Sequence, residues 1–260
     1  MKLFVIGCGN MGSAIVEAIA EKSIFDEIEV FDNNAEKCAR LKGATALPSI
    51  EDADINPDTF VLVAVKPQDI DPVLSALKGK MVSGSVLISI AAGVTTDRLT
   101  EGTDCHEVVR VMPNTPVLVG KGACGWSATS SIPEAQVGVV RAMLESFGIA
   151  VKVNDDDEMN ALGTLSGCGP AYVFYFMEAL VAGAVKLGMD KDAAKKLAMQ
   201  TVLGGVMLAM DSDDDLETLR AKVTSKGGVT EQAIAKFDEL NFKGMVAEAM
   251  QAAYDKTNQL

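Results

Sequence analysis

Over the first 153 positions the apolar residues come in short runs without alternation. KLFVIG at 2–7 ends on a glycine, and positions 10–21 then carry apolar residues at helical spacing. EIEVF at 27–31 predicts a strand and NAEKCARL after it a helix. TFVLVAV at 59–65, SVLISI at 85–90 and EVVRVM at 107–112 repeat the strand signal, with helical stretches between some of them. Residues 134–147 predict a helix, and IAVKV at 149–153 a last strand. Runs that are apolar throughout and separated by helices predict a parallel sheet covered on both faces. After Val153 the texture changes. NDDDE reads as a solvated acidic break, and from 159 onward no strand signal remains. Helices are expected over 170–188, 191–210, 214–223, 230–240 and 243–257. The expected organisation is an α/β domain at 1–153 followed by an all-helical domain at 154–260.

Composition narrows the function classes. The chain has 260 residues, 48% of them hydrophobic, which is enough for a sizeable core. A net charge of −13 repels phosphate backbones and argues against a nucleic-acid partner. The five cysteines are scattered, with no CxxC pair, which argues against a disulfide framework or a zinc site and suits a reducing cytosol. A single histidine, His106, cannot build a metal site and reads as an ordinary surface or strand-edge residue. No metal is expected. Met1 runs straight into KLFVIG with no basic-then-apolar leader, so a cytoplasmic protein is expected.

Two segments invite other readings. LGTLSGCGPAYVFYFMEALVAGAV at 162–185 is long and apolar enough to resemble a membrane span. Glu178 inside it, the Gly-Cys-Gly-Pro break and the acidic residues before it favour a helix buried in the protein or between subunits, and no membrane partner is expected. DSDDD at 211–215 mimics the start of a calcium loop, but Leu216 and Lys222 stand where such a loop needs glycine and a closing glutamate. A solvated interhelical turn is expected.

The first strand runs into Gly7-Cys8-Gly9-Asn10-Met11-Gly12, a GxGxxG placed between a strand and a helix. In that context Gly7 permits a tight turn, Gly9 lets a pyrophosphate approach the backbone, and Gly12 lets helix and strand pack closely. The anion would rest on the helix N-terminus with Asn10 and Met11. Asp32, at the end of the second strand, is placed to bond a ribose 2′-hydroxyl, or to cap the next helix. Asn33, Asn34 and Lys37 beside it are placed to receive a 2′-phosphate. NADPH and NADH both remain open, with Asp32 leaning towards NADH. Ligands of such sheets bind beyond the carboxyl ends of the strands. That places Ala64, Val65, Lys66 and Pro67, and also Ala92, near a coenzyme, although plain strand-to-helix turns account for them equally. Asn114, between two prolines, offers an amide to a nicotinamide or forms a rigid interdomain link.

Taken in order, GCGNMGSAI, AVKPQDI, SIAAGVT, VMPNTPVLVG, SGCGPAYVF and VTSKGGVTEQAI resemble pyrroline-5-carboxylate reductases over nearly the whole chain. The late TS-x-GG-x-T element is the most specific part of the likeness. The resemblance implies reduction of the cyclic imine 1-pyrroline-5-carboxylate to L-proline with NADPH or NADH, the last step of proline synthesis. It implies a Rossmann-like N-terminal domain, and a helical second domain that intertwines with another subunit in a homodimer or larger homo-oligomer. The segment at 162–185 then becomes a dimer core. Two positions depart from the family pattern. Lys226 replaces a usual proline, and Asp32 stands where many relatives carry small polar residues suited to a 2′-phosphate.

The resemblance also implies that the loop 224–230 holds the substrate carboxylate. Gly227 and Gly228 cannot block an anion, and their N–H groups, with those of Val229 and Thr230, can form a nest at a helix entrance. Ser225 and Thr230 add hydroxyl donors, and Glu231 must point away. The fragment alone would equally be an ordinary helix start with Thr230 as its cap. A protonated cyclic imine is already an electrophile, so hydride transfer needs mainly position. Thr230, placed to hydrogen-bond the ring nitrogen, is the one catalytic candidate. Two rivals remain. A β-hydroxyacid dehydrogenase would need a lysine that is absent after Gly167-Cys168-Gly169. A dinucleotide-sensing regulator would need a partner surface.

Overall fold

A computed structural model describes residues 1–257. Eight strands form one sheet: β1 (Lys2–Ile6), β2 (Glu27–Phe31), β3 (Thr45–Ala46), β4 (Thr59–Val63), β5 (Val86–Ser89), β6 (Val108–Met112), β7 (Gly122–Ala128) and β8 (Gly148–Lys152). Their spatial order is 3-2-1-4-5-6-7-8. All neighbours pair in parallel except β6 and β7, with Val111 opposite Trp126. The order reverses between β1 and β4, whose register sets Ile6 beside Val63. This is the topological switch point at which open α/β sheets bind ligands.

Every residue of β1 and β4 is buried, as expected for strands covered on both faces. Successive side chains point to opposite faces. Leu3, Val5 and Leu62 therefore join one core with Ile15 and Ile19 of α1 (Asn10–Lys22) and Val140 of α5 (Glu134–Glu145). Phe4, Ile6 and Val61 join the other, with Leu74 of α3 (Ile70–Leu77) and Leu99 of α4 (Thr96–Thr103). The short α2 (Ala35–Ala39) follows β2.

Two elements escape the pattern reading. β7 is GACGWSA, poor in strand formers. Its small residues meet close neighbours instead. A β-carbon at Gly122 would lie 2.5 Å from Val117 Cγ2, and one at Gly125 2.5 Å from Leu162 Cδ2. Tertiary pairing between β6 and β8 makes this segment a strand. The acidic break at 154–158 is in fact a helix start. Asp155 accepts the Glu158 N–H at 2.8 Å, and Glu158 reaches back to the Asn154 N–H at 2.7 Å. This reciprocal capping opens α6 (Asp156–Leu162), whose acidic first turn suits the helix dipole. A single π-helical turn, Gly163–Gly167, continues it.

Among the described residues, one compact unit comprises Met1–Cys168 with Lys256 and Thr257, the other Gly169–Asp255. The expected division at 153/154 marks the end of the last strand, whereas α6 and the π turn stay with the sheet. The buried Arg110 guanidinium pairs with Asp156, and Leu162 lies against Gly125.

The second unit contains α7 (Gly169–Lys186), α8 (Lys191–Met210), α9 (Leu216–Lys222), α10 (Val229–Glu239) and most of α11 (Phe242–Thr257). No residue of α7 is buried, and Val173, Phe174 and Tyr175 are exposed. The continuous run Asp156–Lys186 is long and apolar enough to cross a membrane by length and composition. Within a single chain Gly163 and Thr164 are the only buried residues of 162–185, so of the two expected forms of burial, in the protein or between subunits, the first does not hold for most of the segment. The acidic turn before α9 is tied up by its own contacts: Asp214 pairs with Lys222, and Asp215 caps α9 through the Thr218 N–H at 2.7 Å. His106 is exposed.

Candidate coenzyme and substrate sites

β1 delivers the chain into a turn at the switch point. Gly7 has φ +106°, and a β-carbon there would lie 2.7 Å from the Ala64 carbonyl oxygen, so only glycine fits. Gly12 is more restrictive still: its β-carbon would sit 2.0 Å from the Gly7 carbonyl oxygen and 3.2 Å from Ala64 Cβ. At Gly9 the same construction meets nothing within 4 Å. Gly9 is the N-cap of α1 and offers no side-chain cap. Among the described residues, the N–H groups of Asn10, Met11 and Gly12 have no protein acceptor. The three glycines thus have the three roles that a pyrophosphate loop needs: turn, clearance and close packing. Unpartnered amides at the positive end of a 13-residue helix fit a dinucleotide's phosphates.

Asp32 lies beside this loop, half-buried. It accepts the Cys8 N–H and the Asn34 N–H, each at 2.8 Å, and Lys37 Nζ stands 3.3 Å from its Oδ1. Burial, the largest single influence, pushes its carboxyl up. The bonds from Asn34, Cys8 and Lys37 together outweigh burial and hold it below the usual carboxylate value. Asp32 therefore carries a fixed negative charge and ties the glycine loop to β2. The cap of α2 is Asn34, which accepts the Glu36 N–H at 3.1 Å. Asn33 and Lys37 are exposed beside it. Sequence reasoning missed the contact between Cys8 and Cys38, buried thiols 3.3 Å apart. Burial, then Cys38, pushes the Cys8 thiol up, so it packs as a neutral group.

Ala64 and Val65 follow β4 half-buried, and exposed Lys66 and Pro67 then open a short 3₁₀ turn. Ala92 is exposed just past β5. All five stand at the carboxyl edge of the sheet. For Asn114 the sequence leaves two readings open, an amide for a nicotinamide or a rigid interdomain link. It is buried, its amide donates to the Ser166 carbonyl at 2.9 Å, and its oxygen accepts the Ala123 N–H at 2.9 Å. These bonds make it an internal crosslink between the turn after β6, the start of β7 and the π turn.

In the second unit, residues 224–228 lead into α10. Gly227 has φ +74°, and Gly228 is the N-cap, again without a side-chain cap. The four-amide nest expected from Gly227 to Thr230 is only partly available. The Gly228 N–H donates to the Ser225 carbonyl at 2.9 Å. The Gly227 N–H donates to Glu231 Oε2 at 2.7 Å, so Glu231 turns back onto the loop rather than away. What remains among the described residues is a set of unpartnered N–H groups on Val229, Thr230 and Glu231. The Ser225 and Thr230 side chains are exposed beside them. Lys226 is exposed too.

Residues 156–260 match the family model for pyrroline-5-carboxylate reductase dimerisation, and residues 2–93 match that for NADP oxidoreductase, coenzyme F420-dependent. The pyrroline-5-carboxylate reductase of Haemophilus influenzae is 38% identical over 98% of this chain and 96% of its own length. That of Pseudomonas aeruginosa is 33% identical over 100% and 96%. The chain belongs to the pyrroline-5-carboxylate reductase family. Among solved structures, the reductase of Coxiella burnetii superposes with a TM-score of 0.93 at 32% identity, covering 99% of this chain and 97% of that one. The Plasmodium falciparum enzyme, solved with NADP bound, gives 0.83 at 31% identity, covering 99% and 98%. Membership carries the family activity: NAD(P)H-dependent reduction of pyrroline-5-carboxylate to proline. It also accounts for the uncovered apolar helices, since residues 156–260 are a dimerisation domain and the protein is a homo-oligomer.

Proposed function

We propose that residues 1–153 hold the coenzyme, and that 154–260 hold the substrate and join two copies into a cytoplasmic homodimer. The coenzyme lies on Gly7, Gly9, Asn10, Met11 and Gly12, with Asp32 and Asn33 at its ribose and Ala64, Val65, Lys66, Pro67 and Ala92 along the sheet edge. Bound NAD(P)H supplies the hydride. The chain's own residues do the rest. The Val229, Thr230 and Glu231 amides take the substrate carboxylate, helped by the Ser225 hydroxyl, and Gly227 and Gly228 shape the loop around it. Thr230 Oγ1 hydrogen-bonds the ring nitrogen and sets the face of the C=N bond. The substrate brings its own proton: the iminium carbon accepts the hydride, the C=N π pair moves to nitrogen, and proline forms without an enzymic acid.

The observation that carries this reading is the glycine-capped start of α10, with its three unpartnered amides, in a chain that aligns with the family from end to end. Asp32's fixed charge supports a preference for NADH, whose ribose hydroxyl it can accept, over the 2′-phosphate of NADPH. The test mixes the protein with pyrroline-5-carboxylate and each coenzyme and follows nicotinamide absorbance. Turnover with L-proline as product, faster with NADH at low concentration, is expected. Oxidation of neither coenzyme refutes the proposal.

A further inference from the structure

The carboxylate of Glu231 lies on the very loop assigned to an acid. Its Oε2 accepts the Gly227 N–H at 2.7 Å, while its own N–H is one of the three left open. An incoming carboxylate on those amides therefore meets the Glu231 carboxylate folded back over the first turn, in an exposed loop whose own lysine, Lys226, forms no ion pair among the described residues. If the ligand were a simple anion, this arrangement would weaken binding, because like charges side by side repel. The glycine loop of α1, assigned above to a pyrophosphate, has no acid in its first turn; α10 has one.

The imine resolves the contradiction. Pyrroline-5-carboxylate exists as a net-anionic neutral imine or as a zwitterion whose iminium nitrogen is two bonds from its carboxylate carbon. Beside Glu231 the zwitterion is favoured, because its cation offsets the repulsion that its carboxylate feels. We infer that Glu231 is a specificity-determining residue that selects the protonated, reducible form of the imine and rejects acids lacking a ring cation. This rests on the reading that the 225–231 loop binds the substrate carboxylate.

Two ligands of one shape isolate the charge: L-proline, a zwitterion, and L-tetrahydro-2-furoate, in which a ring oxygen replaces the ammonium. Their Kd values are measured by calorimetry on the full-length protein saturated with oxidised coenzyme. Glu231→Gln keeps an acceptor for the Gly227 N–H and removes the charge. The expected result is that the furoate gains about tenfold relative to proline, the effect of one nearby unit charge in partly screened surroundings. A merely structural capping role would move both ligands together. An unchanged ratio, or a shift in proline's favour, overturns the inference. Gly228→Ala distinguishes the two levels of failure, because its β-carbon would lie 2.9 Å from the Ser225 carbonyl oxygen and disturb the loop. If that variant weakens both ligands while Glu231→Gln leaves the ratio alone, the loop assignment stands and the role of Glu231 falls. If Gly228→Ala leaves both affinities at wild-type values, the loop assignment falls and takes the inference with it.

Discussion

Replacing Gly9 by alanine separates the folding of the coenzyme loop from its use. A β-carbon there meets no heavy atom within 4 Å, and φ −72°, ψ −173° is extended backbone open to any residue. The free protein should lose only the small difference between glycine and alanine at an N-cap, about 0.5 kcal/mol. For a chain of this size that is about 1–2 °C of Tm. In the complex the same methyl group stands where phosphate must approach Asn10 and Met11. Losing one charge-assisted hydrogen bond costs about 1.5–3 kcal/mol, so Kd for NADH and NADPH should rise about tenfold to over a hundredfold. Gly12→Ala is the contrasting variant. Its β-carbon would lie 2.0 Å from a backbone oxygen, which cannot be relieved by a rotamer change. Forcing α1 off β1 should cost about 1–3 kcal/mol of stability and weaken coenzyme binding as well. Thermal unfolding of the ligand-free proteins and fluorescence titration with each coenzyme read the two quantities. A Gly9→Ala protein with wild-type coenzyme affinity refutes the placement of pyrophosphate on this loop. A large fall in its ligand-free Tm refutes the claim that Gly9 serves clearance alone.

Other expectations follow from single contacts. Asp32 has a folded-state pKa below its unfolded one, so its stabilisation is fully present above about pH 4 and is lost as pH falls through the folded value. Asp32→Asn should therefore unfold more easily than wild type at neutral pH and approach it in acid, as followed by circular dichroism, and should bind NADPH better relative to NADH. Thr230→Ala should lower turnover while coenzyme Kd holds; a collapse of coenzyme binding instead would remove Thr230 from the substrate site. The kcat/KM of the wild type should fall at high pH as the imine loses its proton, and a flat profile through that titration contradicts an iminium substrate. Asn114→Ala leaves the Ser166 carbonyl and the Ala123 N–H unpaired, a loss of about 2–4 kcal/mol in denaturant unfolding. Unchanged stability with weakened coenzyme binding would return Asn114 to the nicotinamide.

The parts of the fold that could be read in advance are those governed by local pattern. Buried parallel strands show as unbroken apolar runs, which is why β1, β4, β5 and β6 were legible. β7 was not, because Gly122 and Gly125 are there to admit Val117, Phe147 and Leu162, and nothing local announces those neighbours. α6 was hidden by its own capping: Asp155 to Glu158 looks like solvated linker until the reciprocal bonds to Asn154 and Glu158 are seen. At the site, the glycine spacing carried over intact. Hydrogen-bond commitments did not: spacing alone cannot reveal that Asn114's amide is engaged on both sides, or that Gly227 and Gly228 donate inward.

The helix starts themselves offer a rule for where anions belong in this chain. α2, α4, α6, α8 and α9 are each capped by a side-chain oxygen of their own: Asn34, Thr95, Asp155, Asp190 and Asp215. A helix so closed has satisfied part of its unpaired amides and filled the space before them. Among the described residues given an N-cap role, glycine stands there only in α1 and α10, at Gly9 and Gly228, with no side-chain bond. Glycine there gives up capping and leaves both room and donors, a poor arrangement for stability unless a ligand completes it. The two glycine-capped starts also differ in their acids. The first turn of α1 has no acid, and that of α10 has Glu231. An open start without an acid suits a polyanion such as pyrophosphate. One with a carboxylate folded back over it suits an acid that arrives with its own positive charge. Under the proposed assignment that difference matches the two ligands the reaction needs, and puts the choice of protonation state in the binding step, before any hydride moves.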